Sequence, residues 1–86
     1  MIDIQLKDRT AGPVYLQIRT QLEEHIRAGR LGAGEVLPTP AALARQLAVD
    51  AGEVQRAYFE LEHYGLITKA TSRDFLGKEK TSYAVK

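Results

Sequence analysis

The stretch at residues 37–67, LPTPAALARQLAVDAGEVQRAYFELEHYGLI, constrains this chain more than any other. Thr39 stands as a helix N-cap, with Pro40 at the first helical position, where a missing N–H costs nothing. Leu43, Ala44 and Leu47 give the apolar positions of a short helix, and Ala48-Val49-Asp50 breaks the pattern. Asp50-Ala51-Gly52-Glu53 restarts it as a capping box of the D-x-x-E type. Val54, Ala57, Tyr58 and Leu61 then fall at i, i+3, i+4 and i+7, one apolar face of a second helix. Gly65 suits a left-handed C-terminal cap, and Leu66-Ile67-Thr68 turns β-like. Two short helices joined by a three- or four-residue turn make a helix-turn-helix unit. A strand straight after the second helix points to its winged form.

The flanking segments fit around this unit. Met1-Ile2-Asp3-Ile4-Gln5-Leu6 alternates apolar and polar residues, the period of a half-buried strand or an extended arm, and residues 7–12 make a polar loop. Pro13 starts the first long helix, with Tyr15, Ile18, Leu22 and Ile26 spaced for a buried face and Gly29 at its end. Glu23 and Arg27 form an i,i+4 pair on its solvated side. The glycine-rich run at residues 29–34 follows a helix and opens none. It lacks the strand-before, helix-after context of a nucleotide fingerprint and a P-loop lysine, and is read as a linker with positive φ angles. Residues 35–37 suit a short strand. Beyond Gly65 the pattern suits a β-hairpin, with residues 66–71 going out. The return is either Phe75-Leu76 or residues 81–85; the second pairs better by propensity and leaves residues 72–80 as a long basic loop.

Eighty-six residues, 44% of them apolar, suffice for one small domain with a modest core. The absence of cysteine excludes disulfides, Cys-based zinc sites and thiol nucleophiles. No apolar run approaches the roughly 20 residues that span a bilayer, and nothing at the start resembles a signal peptide, so a soluble cytoplasmic protein is expected. The formal charge of +1 hides an asymmetry. Residues 13–67 carry Arg19, Arg27, Arg30, Arg45 and Arg56 against a larger number of acids, whereas residues 68–86 carry Lys69, Arg73, Lys78, Lys80 and Lys86 against only Asp74 and Glu79. Attraction toward a polyanion therefore comes mainly from the C-terminal segment.

The residues at 13–67 resemble the winged helix-turn-helix domain of the GntR family of bacterial transcription regulators. Pro13-Val14-Tyr15-Leu16-Gln17-Ile18 resembles the P-x-Y-x-Q-I opening of the family's first helix. Gly29, Leu31, Gly34, Leu37, Pro38 and Thr39 follow its G-x-L-x-x-G-x-x-L-P-[ST] connection. Val54-Gln55-Arg56-Ala57-Tyr58, Leu61-Glu62 and Gly65-Leu66-Ile67 resemble the recognition helix of the YtrA-like branch. The departures fall where the family touches DNA. An acidic residue and an arginine usually follow L-P-[ST]; here Pro40 and Ala41 stand there. The turn into the recognition helix usually holds Ser or Asn, then Arg or Pro, and a Thr before the valine; here these are Asp50, Ala51 and Glu53. The family's glycine-rich wing is replaced by Thr71-Ser72-Arg73-Asp74.

The resemblance implies an α+β winged helix-turn-helix fold: three helices at about 13–28, 40–47 and 51–64, a small antiparallel β-sheet forming the wing at about 66–86, and residues 1–12 as an N-terminal strand or arm. It implies a DNA-binding transcriptional regulator working on double-stranded DNA as a homodimer, with the recognition helix in the major groove. From the helical angle of Val54, the outward face holds Gly52, Gln55, Arg56, Phe59 and His63. Gln55 suits adenine and Arg56 suits guanine. Thr39, Lys69, Arg73, Lys78 and Lys80 complete the expected DNA-binding set. Asp50 and Glu53 cap the helix yet repel phosphate. The apolar Phe59, with His63 beyond it, suits either a thymine methyl or a protein interface. The alternative function is a winged-helix protein-interaction or dimerisation module that has lost specific DNA readout.

His25 and His63 lie on different helices without a carboxylate cluster, so no metal site is expected, and no cofactor. Ser72 and Ser82, the only serines, have no nearby base, and the carboxylates are scattered, so no enzyme is expected. The chain ends soon after the wing, and no small-molecule effector domain is expected in it.

Overall fold

A computed structural model describes residues 3–8 and 12–86. Its elements run α1 (Val14–Arg27), β1 (Val36–Leu37), α2 (Pro40–Leu47), α3 (Ala51–His63), β2 (Ile67–Arg73) and β3 (Glu79–Val85). The strands form one antiparallel sheet in the order β1-β3-β2. This is a winged helix.

Each helix stops where its local chemistry demands. At the end of α1 the N–H of Gly29 donates to Ile26 O at 3.1 Å and that of Arg30 to His25 O at 2.9 Å. At the end of α3, Gly65 and Leu66 repeat this pair onto Glu62 and Leu61. Both glycines sit near φ 78°, the left-handed conformation of a Schellman close. α2 closes the same way with Ala48 at φ 58° in the glycine's place, which keeps the turn between α2 and α3 tight. Thr39 caps α2, its Oγ1 accepting the Ala42 N–H at 3.2 Å.

The core lies where the three helices meet the sheet. Ile18 and Leu22 of α1, Leu43 of α2, and Val54, Ala57, Tyr58 and Leu61 of α3 are fully buried, with Leu37, Ile67 and Val85 closing the sheet side. Tyr58 is the largest of them. Its hydroxyl donates to Pro38 O at 2.8 Å, and its ring meets Tyr83 edge-on with centroids 4.9 Å apart. One side chain thus ties α3 to the segment that leads into α2 and to the central strand.

Three expectations meet the structure as follows. The first, an N-terminal strand or arm, is described only in part, since residues 1–2 and 9–11 lie outside the described residues. Residues 3–8 run as an extended arm. Ile4 is buried, but the arm's backbone bonds to side chains of α1: Gln5 N–H to Gln21 Oε1 at 2.8 Å, Gln21 Nε2 back to Gln5 O at 2.7 Å, and Lys7 N–H to Gln17 Oε1 at 2.7 Å. His25 Nε2 lies 2.6 Å from Asp3 O while its Nδ1 accepts from Arg30 Nε at 2.7 Å, which fits a neutral ring with its proton on Nε2. Gln17, Gln21 and His25 recur every four residues, so one stripe of α1 does the work of a neighbouring strand.

Second, Asp50 and Glu53 do not form a capping box. Asp50 is the N-cap of α3 but its side chain caps no N–H of that helix. Glu53 turns away to α1, as described below. Third, the wing is longer and its loop shorter than expected. The ladder runs from Ile67↔Val85 to Arg73↔Glu79 and includes Ser72↔Lys80, so only residues 74–78 form the loop. The polar residues 72, 73, 79 and 80 pair because the turn chemistry of Asp74 and Gly77 holds the strands in register.

Candidate nucleic-acid interface

Burying Val54, Ala57, Tyr58 and Leu61 leaves Gly52, Gln55, Arg56, Phe59 and His63 exposed along the opposite side of α3. Gly52, Gln55, Arg56 and Phe59 line a shallow concave surface together with Pro40 at the start of α2 and Lys69, Thr81 and Tyr83 of the sheet. Gly52, two residues into α3, has open space where a Cβ would project, so a ligand's approach to the helix start is unobstructed. Thr39 is exposed beside this surface but its hydroxyl is engaged in capping α2. His63 lies two turns beyond Gln55, its ring against Tyr64 at 5.6 Å between centroids.

Two residues of α3 reach to α1 instead. Glu53 Oε2 accepts the Tyr15 N–H at 2.8 Å. α1 has Pro13 as its N-cap, no side-chain cap and no acidic residue in its first turn, so the carboxylate from α3 supplies the negative charge its N-terminus lacks. Arg56 places its guanidinium 3.8 Å from the centroid of the Tyr15 ring, a cation–π stack, with Nε 3.5 Å from Glu60. Glu60 also pairs with Arg19 of α1, and this hydrogen bond raises the Arg19 pKa. The Arg56 side chain remains 60% exposed, so it is oriented by packing and still open on its outer edge. Tyr15, which the sequence places on a buried face, serves instead as the platform for this arginine.

The basic residues of the wing do not form one patch. Residues directly opposite in an antiparallel ladder share a face. Lys69, opposite Tyr83, and Arg73, opposite Glu79, therefore lie on the α3 side of the wing, whereas Lys80, opposite Ser72, lies on the other. Arg73 pairs with Glu79 at 3.4 Å. Lys78 belongs to the turn. Lys69 is thus the wing lysine that joins the concave surface with Gln55 and Phe59.

Tyr83 and Thr81 were missed by the sequence reading, because a residue's place in a groove depends on strand register. The turn residues Phe75 and Leu76, considered there only as strand, are 95% and 68% exposed. Burial pushes the Tyr58 phenol well above its ordinary pKa, with the neighbouring Tyr83 adding to the shift. Among the described residues no three His, Asp or Glu side chains converge as a metal site, and no helix is long and apolar enough to cross a membrane.

The family model for bacterial regulatory proteins of the gntR family matches residues 14–73, which contain all three helices and β2. The HTH-type transcriptional regulator Rv1152 of Mycobacterium tuberculosis is 47% identical over 55 residues, 64% of this chain and 46% of that protein. The HTH-type transcriptional repressor YtrA of Bacillus subtilis is 34% identical over 70 residues, 81% of this chain and 54% of that protein. The chain thus spans about half the length of these relatives. A solved structure, YtrA from Sulfolobus acidocaldarius, a GntR-family transcription factor, superposes with a TM-score of 0.75 at 34% identity, covering 99% of this chain and 79% of that one. The chain belongs to the gntR family of bacterial regulatory proteins.

Proposed function

We propose that this chain is the DNA-reading part of a transcriptional regulator, acting in the cytoplasm on double-stranded DNA as a homodimer. The carrying observation is the concave surface on which Gly52, Gln55, Arg56 and Phe59 of α3 stand beside Lys69 of the wing. In this reading α3 enters the major groove. Gln55 pairs with an adenine edge and Phe59, one turn on, meets a thymine methyl. Lys69 and the outer edge of Arg56 take backbone phosphates. Thr39 and Gly52 mark where the starts of α2 and α3 come close to the backbone. Arg73, Lys78 and Lys80 add a weaker, longer-range attraction.

Acids on α3 are one argument for an interaction module without DNA readout, beside Ala41 in the family's arginine position and the exposed Phe59. Glu53 is engaged by the Tyr15 N–H, and Glu60 by Arg19 and Arg56. Their repulsion toward DNA is thereby reduced, leaving Asp50 as the acid at the helix start. The reading requires no chemistry at the site beyond recognition.

The test is selection of duplexes from a random-sequence pool by the purified protein at two salt concentrations. A discrete enriched site, with half-sites spaced by about one helical turn and affinity falling steeply with salt, is the expected outcome. Failure to retain any duplex even at low salt would overturn the proposal.

A further inference from the structure

The β2–β3 hairpin ends in a turn whose shape is fixed from within. Asp74 Oδ1 accepts the backbone N–H groups of Leu76 at 2.9 Å and Lys78 at 3.0 Å. The Asp74 N–H donates to Lys78 O and the Gly77 N–H to Asp74 O, both at 3.0 Å. Gly77 at φ 80° takes the left-handed position that lets β3 begin. A turn this well tied displays its two large apolar side chains, Phe75 and Leu76, instead of folding them back. Exposed phenylalanine surface, on the order of 150–250 Å² when the whole side chain is counted, contributes nothing to the stability of the domain from there.

The tip also stands away from the core. Within β2 only Ile67 is buried, and the strand from there to Arg73 extends by roughly 3.3 Å per residue, which sets the turn about 20 Å out. Successive grooves of B-DNA lie about half of a 34 Å helical turn apart, roughly 17 Å. With α3 seated in a major groove, a projection of this length reaches the adjacent minor groove. The charges at the tip suit that destination. The Asp74 carboxylate is occupied by two N–H groups and Glu79 by Arg73, while Lys78 in the turn and Lys80 just after it in β3 are exposed.

We infer that Phe75 and Leu76 form an apolar wedge that enters the minor groove beside the site read by α3, parts a base step there and kinks the duplex. The inference rests on the proposed DNA-binding function. Apolar side chains at the minor groove commonly act in this way, offsetting the loss of stacking with the extra contact that a bent duplex permits. The fixed turn suits the task because the wedge need not be ordered on binding. The occupant is duplex DNA and not a second copy of the chain: two copies meeting tip to tip would bring Lys78 and Lys80 of both together.

The experiment compares the full chain with the Phe75→Ala/Leu76→Ala and Phe75→Trp variants on a duplex selected by the protein. End-to-end energy transfer reads the bend, and 2-aminopurine placed at successive steps reads unstacking. Circular dichroism and thermal midpoint verify that the exposed substitutions leave the fold intact. The expected result is a bend within about 20–90° and a 2-aminopurine signal at one step, both lost in the double-alanine variant together with an affinity decrease of about 10-fold or more. Phe75→Trp keeps the bend, and its fluorescence is quenched and shielded from iodide on binding.

Binding with unchanged bend, affinity and 2-aminopurine signal in the double-alanine variant would overturn the wedge and leave the DNA-binding function standing. Absence of wild-type binding to any duplex would overturn both. A double-alanine variant that binds DNA normally but loses self-association in sedimentation, or loses binding to anionic phospholipid vesicles, would assign the tip to that partner instead.

Discussion

Replacing Glu53 separates two ways of building this helix. If its carboxylate caps α1 across the interface, Glu53→Ala removes the acceptor for the Tyr15 N–H and the negative charge at a helix start that holds no acid of its own. A lost N-cap acceptor is worth about 1 kcal/mol and a charge at a helix N-terminus about 0.3–1 kcal/mol. The higher helix propensity of alanine returns a few tenths of a kcal/mol. The net expectation is destabilisation by about 1–1.5 kcal/mol. Glu53→Gln keeps an acceptor and loses the charge, so about 0.5 kcal/mol is expected. For a domain of this size Glu53→Ala shifts the thermal midpoint down by about 4–8 °C per kcal/mol. In urea, with m of about 1 kcal/mol/M, it shifts the midpoint by about 1 M without changing m. Amide exchange supplies the local reading: Tyr15 loses protection in Glu53→Ala more than the amides in the middle of α3. If both variants lie within about 0.3 kcal/mol of the parent and Tyr15 keeps its protection, the cross-helix cap contributes nothing and the reasoning fails.

Other substitutions test neighbouring features. Ala48 occupies the left-handed close of α2, so Ala48→Gly is expected to stabilise the domain by about 0.5–1 kcal/mol in urea melts, against the usual direction for an alanine-to-glycine change. Tyr58→Phe leaves Pro38 O without its donor and is expected to cost about 1–1.5 kcal/mol. The parent's stability should also fall as pH rises above about 10, because burial holds the folded-state phenol protonated while the unfolded chain ionises. Tyr58→Phe should show a flatter alkaline limb; an identical limb would place the ionisation elsewhere. Asp50→Asn removes the acid that remains at the start of α3 and should raise DNA affinity measured by fluorescence anisotropy, most at low salt. Gln55→Ala should lower affinity for the selected site by about 1–3 kcal/mol and relax preference at one base pair only, which repeat selection will reveal.

The helices were legible because their signals are local. The i, i+3, i+4, i+7 spacing of Val54, Ala57, Tyr58 and Leu61 specifies a face without knowledge of what packs on it, and Thr39 caps the adjoining helix through an N–H three residues on. Glu53 was misassigned because its D-x-x-E pattern fits a local cap equally well, whereas its partner lies 38 residues away in sequence. A comparably long separation hid Tyr15 as the platform for Arg56. In the wing, Ser72, Arg73, Glu79 and Lys80 have little strand propensity, and what pairs them is the register set by the turn. The arm's alternation was visible, but its partners are Gln17, Gln21 and His25, a polar stripe of α1 that carries no strand pattern to point to. Whether a lysine of the hairpin faces α3 likewise depends on register, so charge counting alone merged Lys69 with Lys80.

The double hold on Tyr15, through its backbone by Glu53 and its ring by Arg56, divides α3 into residues that can be exchanged and residues that cannot. Gly52, Gln55, Phe59 and His63 face outward and take no part in that hold, so they can be rewritten without disturbing how the helix is seated. Glu53 and Arg56 belong to the mount of the helix, and altering them would tilt it. A transplant of this helix into another scaffold would therefore need an aromatic residue at the position of Tyr15 to receive it.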